Sequence, residues 1–220
     1  QTTQSTFRVG ILQCDEVIKS PGIPDSTDVI QQLKKEGISV ISEVEFTFRY
    51  TKAKVVAITG SNGKTTTTLL VGHILKKAGL DVEAVGNVGK SYAKVLSERD
   101  HDFFVIELSS FQLDYMHAFK ADIAIILNIT PDHLDRYEND FQKYIDSKFR
   151  ILNNQNKSEV LIYNSDDPII EKEIKKRQVN SSKYGFSQSK KMDNGSWIEN
   201  DQILININNN KQTIMRIHDL

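Results

Sequence analysis

An apolar strand, a glycine-bearing loop and a lysine–threonine run follow one another at residues 55–68. The N–H groups of such a loop and of the next helix turn can bind an anion, because they are unpaired and lie at the positive end of the helix dipole. Lys64 would contact the β- and γ-phosphates of a nucleotide, and the Thr65 hydroxyl would hold Mg²⁺. We therefore predict a nucleotide-phosphate site at Gly60, Ser61, Asn62, Gly63, Lys64, Thr65, Thr66 and Thr67.

The spacing of the loop glycines departs from the common nucleotide-loop pattern. That pattern has a glycine five residues before Gly63, where this chain has Ile58, and the glycine here lies three residues before, at Gly60. We interpret the loop as a tighter variant in which both glycines allow close backbone approach and positive φ. An ordinary strand–turn–helix with a capping threonine is the alternative, but it leaves Gly63-Lys64-Thr65 unexplained.

A glutamate lies near the end of the apolar run 103–108, which has the length of a strand buried on both faces. Ligands of an open α/β sheet lie outside the carboxyl ends of its strands, so Glu107 is expected at the same edge as Lys64. A carboxylate in an apolar run is costly to bury unless it is paired or metal-bound. Glu107 is therefore a candidate Mg²⁺ ligand, and pairing with a nearby basic residue is the alternative.

Three ionisable residues, Asp132, His133 and Asp135, crowd the loop that follows the apolar run 123–127. Taken alone, a loop histidine is more often solvated than functional. The position of His133 after a sheet strand, on the edge expected for Lys64, favours a binding site. The spacing is not that of a zinc motif such as HExxH, so no zinc site is predicted.

Two predicted helices carry apolar stripes, and one stripe contains a lysine. On helix 140–152, Lys148 lies four residues after Tyr144 and falls among apolar positions. Its amine can reach water while the stem is buried, or it can point into the site, as an ammonium on phosphate or as a carbamate on a metal. The residues alone leave both interpretations open. The stripe of helix 140–152 holds Phe141, Tyr144, Ile145, Phe149 and Leu152, and that of helix 64–78 holds Leu69, Leu70, Ile74, Leu75 and Ala78.

The composition is that of a soluble globular protein, with 39% hydrophobic and 26% charged residues among 220. The formal net charge of −1 gives no electrostatic case for nucleic acid or an anionic membrane as partner. Cys14 is the single cysteine, which excludes an internal disulfide and is typical of a reducing cytoplasm. No apolar run has membrane-spanning length, and residues 1–20 lack a signal-peptide core. Since the first residue is Gln1, we expect the chain to begin within a longer or processed protein.

Strand and helix patterns alternate from residue 55 onward. This alternation predicts an α/β fold with a doubly wound, mostly parallel sheet flanked by helices. After residue 182 the pattern predicts a small antiparallel β meander, and residues 1–50 also have an α/β pattern, joined to the rest through 46–54. The predicted helices are 26–36, 64–78, 90–98 and 140–152, and the predicted strands are 38–41, 55–59, 82–85, 103–108, 123–127, 159–163, 197–199, 203–207 and 213–217.

Seven segments in order along residues 20–151 resemble the Mur ligases of peptidoglycan synthesis. The tighter loop spacing is the form that this family uses, and the Ser109–Gln112 segment is most similar to its D-glutamate-adding branch. Residues 152–220 match more loosely. The segments are Ser20–Ile23, Ser42–Glu45, Ile58–Thr65, Gly86–Gly89, Glu107–Leu113, Asn128–Tyr137 and Lys148–Ile151.

The resemblance implies an ATP-dependent ligase that forms an amide bond through an acyl phosphate, from UDP-N-acetylmuramoyl-L-alanine and D-glutamate. It implies two Mg²⁺ ions, one held with the help of Thr65 and a second served by Glu107, His133 and a carbamylated Lys148. Lys64, Glu107, His133 and Lys148 are the implied catalytic residues. The implied substrate contacts are Ser20, Pro21, Gly22, Asn87, Ser109, Gln112 and His133.

The resemblance also implies a domain organisation. Residues 1–50 correspond to part of a Rossmann-like N-terminal domain that binds the UDP substrate, and 51–220 to an incomplete central ATP-binding domain, with the C-terminal ligase domain absent. We expect such a chain to be cytoplasmic, monomeric and inactive by itself. Two alternatives remain: another ligase of the superfamily, such as a different Mur ligase or a folylpolyglutamate synthetase, and a nucleotide-binding module without ligase activity.

Overall fold

The structure is a computed structural model that describes residues 10–87 and 89–219. Residues 1–9 of the predicted N-terminal domain, Val88 of the segment Gly86–Gly89 and Leu220 lie outside the described residues. No helix in the described part of the chain is both long and apolar enough to cross a membrane.

Strands and helices alternate as the sequence predicts. The strands are β1 Glu16–Lys19, β2 Ser39–Ser42, β3 Lys54–Thr59, β4 Val82–Gly86, β5 Phe103–Glu107, β6 Ile123–Ile126, β7 Val160–Asn164, β8 Ser182–Ser187, β9 Gly195–Glu199, β10 Gln202–Ile207 and β11 Asn210–Arg216. The helices are α1 Asp28–Lys35, α2 Glu43–Phe48, α3 Lys64–Lys77, α4 Tyr92–Glu98, α5 Ser110–Leu113, α6 Phe141–Phe149 and α7 Pro168–Lys176. Short 3₁₀ helices cover Leu134–Tyr137, Arg150–Leu152 and Ile217–Asp219.

One nine-stranded sheet organises most of the described chain, in the order β11-β10-β9-β8-β7-β6-β3-β5-β4. Strands β3 to β9 pair in parallel, and β9, β10 and β11 form an antiparallel meander. The predicted α/β class and meander are confirmed. The meander is not a separate unit, however, because β9 pairs with β8 and so continues the parallel sheet. Strand β8 and helices α2, α5 and α7 were not predicted from the sequence.

The residues before β3 divide into two parts. Strands β1 and β2 with helix α1 form a smaller unit, and helix α2 packs against the large sheet. Strands β1 and β2 pair in parallel as a two-stranded sheet, and α1 packs on it through Ile30 and Leu33. Helix α2 instead contributes Val44 to the main core. The predicted connection over 46–54 is therefore wrong in its first part, because 46–48 is helical and Phe48 packs against that core.

The two faces of the large sheet are covered unequally. Helices α2, α4, α6 and α7 bury apolar side chains on one face, where the larger core lies. On the other face, α3 packs against β3, β4, β5 and β6 through Val71 and Leu75. Its small residues Thr68 and Gly72 also face the sheet, and a Cβ on Gly72 would lie 3.3 Å from Ala84.

The predicted apolar stripe of α3 is wrong for most of its members. Leu69, Leu70 and Ile74 are more than half exposed, at 53%, 54% and 55%, and Ala78 is exposed. Because small side chains at Thr68 and Gly72 bring this helix close to the sheet, the buried stripe passes through them and the leucines turn outward.

Candidate active site

The loop between β3 and α3 has the conformation of a phosphate cradle. Strand β3 ends at Thr59, and Gly63 caps α3 with φ 79°, a left-handed conformation that favours glycine. Gly60 is needed for a different reason: a Cβ there would lie 3.0 Å from Leu127 Cβ. The N–H groups of the first turn of α3 lie at the positive end of the helix. The glycines therefore have the conformation that the predicted phosphate site requires, and binding of an anion remains a prediction.

Polar side chains from β6 onward hold this loop in place. The side chain of Asn128 accepts from Asn62 N–H at 2.8 Å and donates to the Asn62 carbonyl at 3.0 Å. The Ser61 hydroxyl donates to the Thr130 carbonyl at 2.9 Å and lies 3.0 Å from the Tyr144 hydroxyl. Neither Asn128 nor Tyr144 was predicted as a site residue. The place of Asn128 directly after the strand that neighbours β3 is the signal that could have identified it.

Two lysines converge on one carbonyl of the loop. The amine of Lys64 donates to the carbonyls of Gly60 and Ser61, each at 2.9 Å, and Lys148 donates to Gly60 at 2.7 Å. Lys148 is only 2% exposed, and its amine lies 4.6 Å from the centre of the Tyr144 ring. Its amine therefore points at the loop, and the alternative in which it extends to bulk water disagrees with this burial.

The surroundings of Lys148 disfavour its charged form. Burial, and after it the positive charge of Lys64, lower the pKa of Lys148 from 10.5 to about 7, although Asp132 and Asp114 oppose the shift. A lysine with this pKa is substantially neutral near pH 7. A neutral amine is the form that can act as a nucleophile toward CO₂.

Glu107 ends β5 and is 2% exposed. Its carboxylate accepts from the Thr65 hydroxyl at 2.7 Å and from the Asn87 side-chain amide at 3.1 Å. Within residues 10–87 and 89–219 no Lys or Arg forms an ion pair with it, so pairing with a basic residue is wrong. A buried carboxylate beside a hydroxyl, with no cation, is a donor set that suits a hard divalent ion.

The described residues hold no group of three or more His, Cys, Asp or Glu side chains suited to a metal. A cation at Glu107 would therefore complete its shell with the Thr65 hydroxyl, phosphate oxygens and water, as Mg²⁺ does at nucleotide sites. The residues present fit that ion. That Mg²⁺ binds here, and that two such ions bind, remain predictions.

A cavity of about 330 Å³ lies between the phosphate loop and the loop that precedes α1. Seven predicted site residues line it, and Glu107 and Thr65 connect to it through Asn87. Phe111, Asp132, Arg136 and Tyr144 also line it and were not predicted as site residues. The seven are Pro21, Gly22, Lys64, Asn87, Ser109, His133 and Lys148.

Two predicted substrate residues are not among those that line this cavity. Gln112 is buried, and its side chain accepts from the Ser109 N–H at 3.0 Å and hydroxyl at 2.9 Å, so it fixes the direction of Ser109. Ser20 closes a turn in which its carbonyl accepts from Ile23 N–H at 3.1 Å. Each contacts or precedes a residue that lines the cavity, and their roles as substrate residues remain predictions.

His133 lies on the cavity wall with a left-handed backbone, at φ 49°. Its side chain is 55% exposed, lies 3.5 Å from an Asp132 carboxylate oxygen, and has its ring centre 5.3 Å from that of Phe111. In the described part of the chain no hydrogen bond or ion pair joins His133 to Glu107 or Lys148. Its predicted role in metal binding therefore remains a prediction.

Comparison with known proteins identifies a family. The family described as the Mur ligase middle domain matches residues 58–218. A protein of Bacteroides fragilis named UDP-N-acetylmuramoylalanine--D-glutamate ligase is 52% identical over 195 residues, which are 89% of this chain and 44% of that protein. A protein of the same name from Christiangramia forsetii is 52% identical over 204 residues, which are 93% of this chain and 46% of that protein.

The fold is also similar to solved structures. The crystal structure of a MurF ligase from Thermotoga maritima in complex with ADP aligns with a TM-score of 0.54 at 17% sequence identity, covering 93% of this chain and 58% of that one. At that identity the likeness concerns the fold alone. The chain spans less than half the length of the two curated relatives that it matches.

Proposed function

The chain belongs to the Mur ligase family, and on that premise we propose that it supplies the ATP-binding part of a ligase that joins D-glutamate to UDP-N-acetylmuramoyl-L-alanine. One observation supports this most directly: a single cavity brings Lys64 of the phosphate loop together with Lys148, Asn87, Ser109 and His133. An anion-binding loop that opens into a larger polar cavity suits a reaction between a nucleotide and a second substrate. The names of the relatives supply the two other substrates.

The chemistry divides into two steps. A carboxylate oxygen of the muramoyl-alanine substrate attacks the γ-phosphorus of ATP, the bond to the β-γ bridging oxygen breaks, and ADP leaves. The amine of D-glutamate then attacks the acyl carbon, phosphate leaves, and the nitrogen loses its proton as the amide forms. Both steps need charge neutralisation and positioning more than covalent catalysis. Lys64 and the first turn of α3 provide this at the phosphates.

Two Mg²⁺ ions belong to the proposal. Thr65 would help to hold the first, and Glu107, His133 and Lys148 as a carbamate would serve the second. Bound there, magnesium would neutralise charge on the transferred phosphoryl group. The 2.7 Å hydrogen bond between Thr65 and Glu107 supports the pairing of a hydroxyl and a carboxylate at this place.

The carbamate on Lys148 follows from its neutral amine. The neutral nitrogen would form a bond to the carbon of CO₂ and release one proton, which converts a buried neutral amine into an anion beside the loop. Incubation with ¹³C-bicarbonate should then give a carbamate carbon signal by NMR, which Lys148→Met abolishes and Lys77→Met, at an exposed lysine of α3, retains. Absence of the signal from the wild-type protein would exclude this modification.

The domain organisation is likewise a proposal. Residues 1–50 would form part of the domain for the UDP substrate, and 51–220 the central ATP-binding domain. Pro21 and Gly22 support this, because they reach the cavity from the smaller unit. A cytoplasmic, monomeric protein without nucleic-acid or membrane partners agrees with the substrates and with the net charge of −1.

The nucleotide site can be tested on the 220-residue chain. Calorimetric titration with ATP and Mg²⁺ should show binding by the wild type and by Lys77→Met, and a loss of at least about tenfold in affinity for Lys64→Met, since a charge-assisted contact to phosphate is removed. Equal affinities for Lys64→Met and Lys77→Met would contradict the assignment of Lys64.

The ligase reaction is tested separately. In a full-length ligase that contains this chain, ADP formation with the muramoyl-alanine substrate should require D-glutamate among a panel of amino acids. Dependence on another amino acid would favour another ligase of the family, and binding of ATP without use of any amino acid would favour a non-catalytic module. The 220 residues alone should release no phosphate in response to D-glutamate, and such release would refute that expectation.

A further inference from the structure

The loop that runs from Ser20 to Pro24 forms one wall of the cavity, and its two ends are fixed within the smaller unit. Before the loop, Lys19 is buried, lies 3.3 Å from the Asp25 carboxylate and has its amine 4.2 Å from the centre of the Tyr115 ring. After the loop, Asp25 also pairs with Lys34 of α1 at 2.8 Å. These contacts hold the ends of the loop, but they do not reach its middle.

One side chain from the large sheet holds the middle of the loop. The guanidinium of Arg136 donates from Nη2 to the carbonyls of Pro21 at 3.4 Å and Ile23 at 3.2 Å. The same guanidinium lies over the Phe111 ring, 4.5 Å from its centre. Phe111 belongs to α5 and Arg136 to the 3₁₀ helix after β6, so the guanidinium is fixed from the side of the large sheet.

Holding the Pro21 carbonyl also fixes a donor on the cavity wall. The described chain contains no cis peptide bond, and in a trans peptide the C=O and the next N–H point in opposite directions. Arg136 therefore sets the direction of the Gly22 N–H. Gly22 lines the cavity, and none of the hydrogen bonds found within 10–87 and 89–219 uses its N–H as the donor. An oxygen of a bound anion could accept from it.

We propose that Arg136 is a positioning residue for the UDP-linked substrate, which it serves by locking the Pro21–Ile23 loop to the large sheet. The proposal rests on the proposed function, because it assigns the UDP substrate to this cavity. Arg136 would act through the loop, whereas Lys64 carries the proposed contact with the phosphates of ATP. Loss of the Arg136 side chain should therefore weaken binding of the UDP substrate and leave binding of the adenine nucleotide unchanged.

The test compares affinities for two ligands in one protein. Calorimetric titration of the full-length ligase with UDP-N-acetylmuramoyl-L-alanine and, separately, with ADP should show Arg136→Ala weakening the first by about tenfold or more, as for loss of charge-assisted hydrogen bonds, and leaving the second unchanged. Arg136→Lys should be intermediate, because it keeps the charge but not the planar group that stacks on Phe111.

Arg150 offers a matched control. It also donates to two backbone carbonyls, those of Leu113 at 2.8 Å and Met116 at 2.9 Å, but it is not among the residues that line the cavity. Arg150→Ala should lower the melting temperature without weakening the affinity for the UDP substrate more than the affinity for ADP. Where Arg136→Ala does not fold, Phe111→Leu replaces it, since this variant removes the stacking surface and keeps the charge.

The outcomes distinguish the inference from the function on which it rests. Unchanged affinity of Arg136→Ala for the UDP substrate, or equal losses for both ligands together with a lower melting temperature, would overturn the positioning role. Wild-type protein that binds ADP but not the UDP substrate would overturn the proposed function itself. Selective loss in Arg136→Ala that Phe111→Leu reproduces with the guanidinium still present, and that Arg150→Ala does not show, would support the positioning role.

Discussion

The buried amine of Lys148 should make the stability of the protein depend on pH in a defined direction. Its pKa is about 7 in the folded protein, against 10.5 as the ordinary value. Between these two values the unfolded chain holds a proton that the folded protein has released, so the free energy of unfolding rises with pH across this range. Below pH 7 both states are protonated and the folded protein carries the full cost of a buried charge.

The size of the effect follows from the shift. One pKa unit corresponds to about 1.4 kcal/mol, so the cost of the charged form is at most about 5 kcal/mol. Lys148→Met removes the titrating group, and the wild type should gain about 2 kcal/mol relative to this variant from pH 7 to pH 9. In a protein of this size that gain is about 4–8 °C in melting temperature. Lys148→Met also loses the hydrogen bond to Gly60, which changes the free energy of unfolding by the same amount at every pH.

Urea and thermal denaturation of both proteins from pH 6 to pH 9, in buffers free of CO₂, measure this difference. Lys77→Met controls for the loss of one positive charge, because Lys77 is exposed on the same helix as Lys64. A difference between wild type and Lys148→Met that stays constant across this pH range would refute the reasoning, because it would mean that the amine does not change its protonation there on folding.

Two further predictions concern the backbone that supports the site. Gly86 has φ 113° and a Cβ there would lie 2.4 Å from a backbone oxygen of β5, so Gly86→Ala should cost about 3 kcal/mol in urea denaturation. Gly79→Ala, at φ 83° with open space around it, should cost only about 1 kcal/mol, and equal losses would contradict the steric argument. The buried Glu45 carboxylate accepts from the N–H groups of residues 117–119 at 3.1, 2.9 and 2.9 Å, so Glu45→Gln should lower the free energy of unfolding by about 2 kcal/mol, and an unchanged denaturation midpoint would contradict this.

Local patterns in the sequence were sufficient for the strand–loop–helix unit of β3 and α3 and for most of the strands, but not for β8, α2, α5 and α7. The loop is predictable because strand, glycines and helix are contiguous, and the positive φ at Gly63 is a local requirement. The continuous apolar runs that became β5 and β6 were predicted for the same reason, since a strand buried on both faces needs no polar alternation. Periodicity failed on α3, where it identified the apolar side chains but not the face that meets the sheet.

The environment of each functional side chain could not be predicted from the sequence. Lys148 lies 88 residues from Gly60 in the chain, yet its amine binds that carbonyl and its pKa is lowered by that burial. The contacts of Arg136 with Pro21 and Ile23 span 115 and 113 residues. No spacing rule relates such positions, because their distance is set by strand order in the sheet and not by separation along the chain.

The sequence by itself therefore determined that the glycine loop, Lys64 and Thr65 lie on a strand–loop–helix unit and that a parallel sheet carries them. Only the tertiary structure decided that Lys148 is buried beside Lys64, that Glu107 has a hydroxyl and an amide but no cation as partner, and that Arg136 joins two units of the fold. The physical reason is that helix and strand patterns depend on neighbours in the chain, whereas burial, charge pairing and pKa depend on neighbours in space.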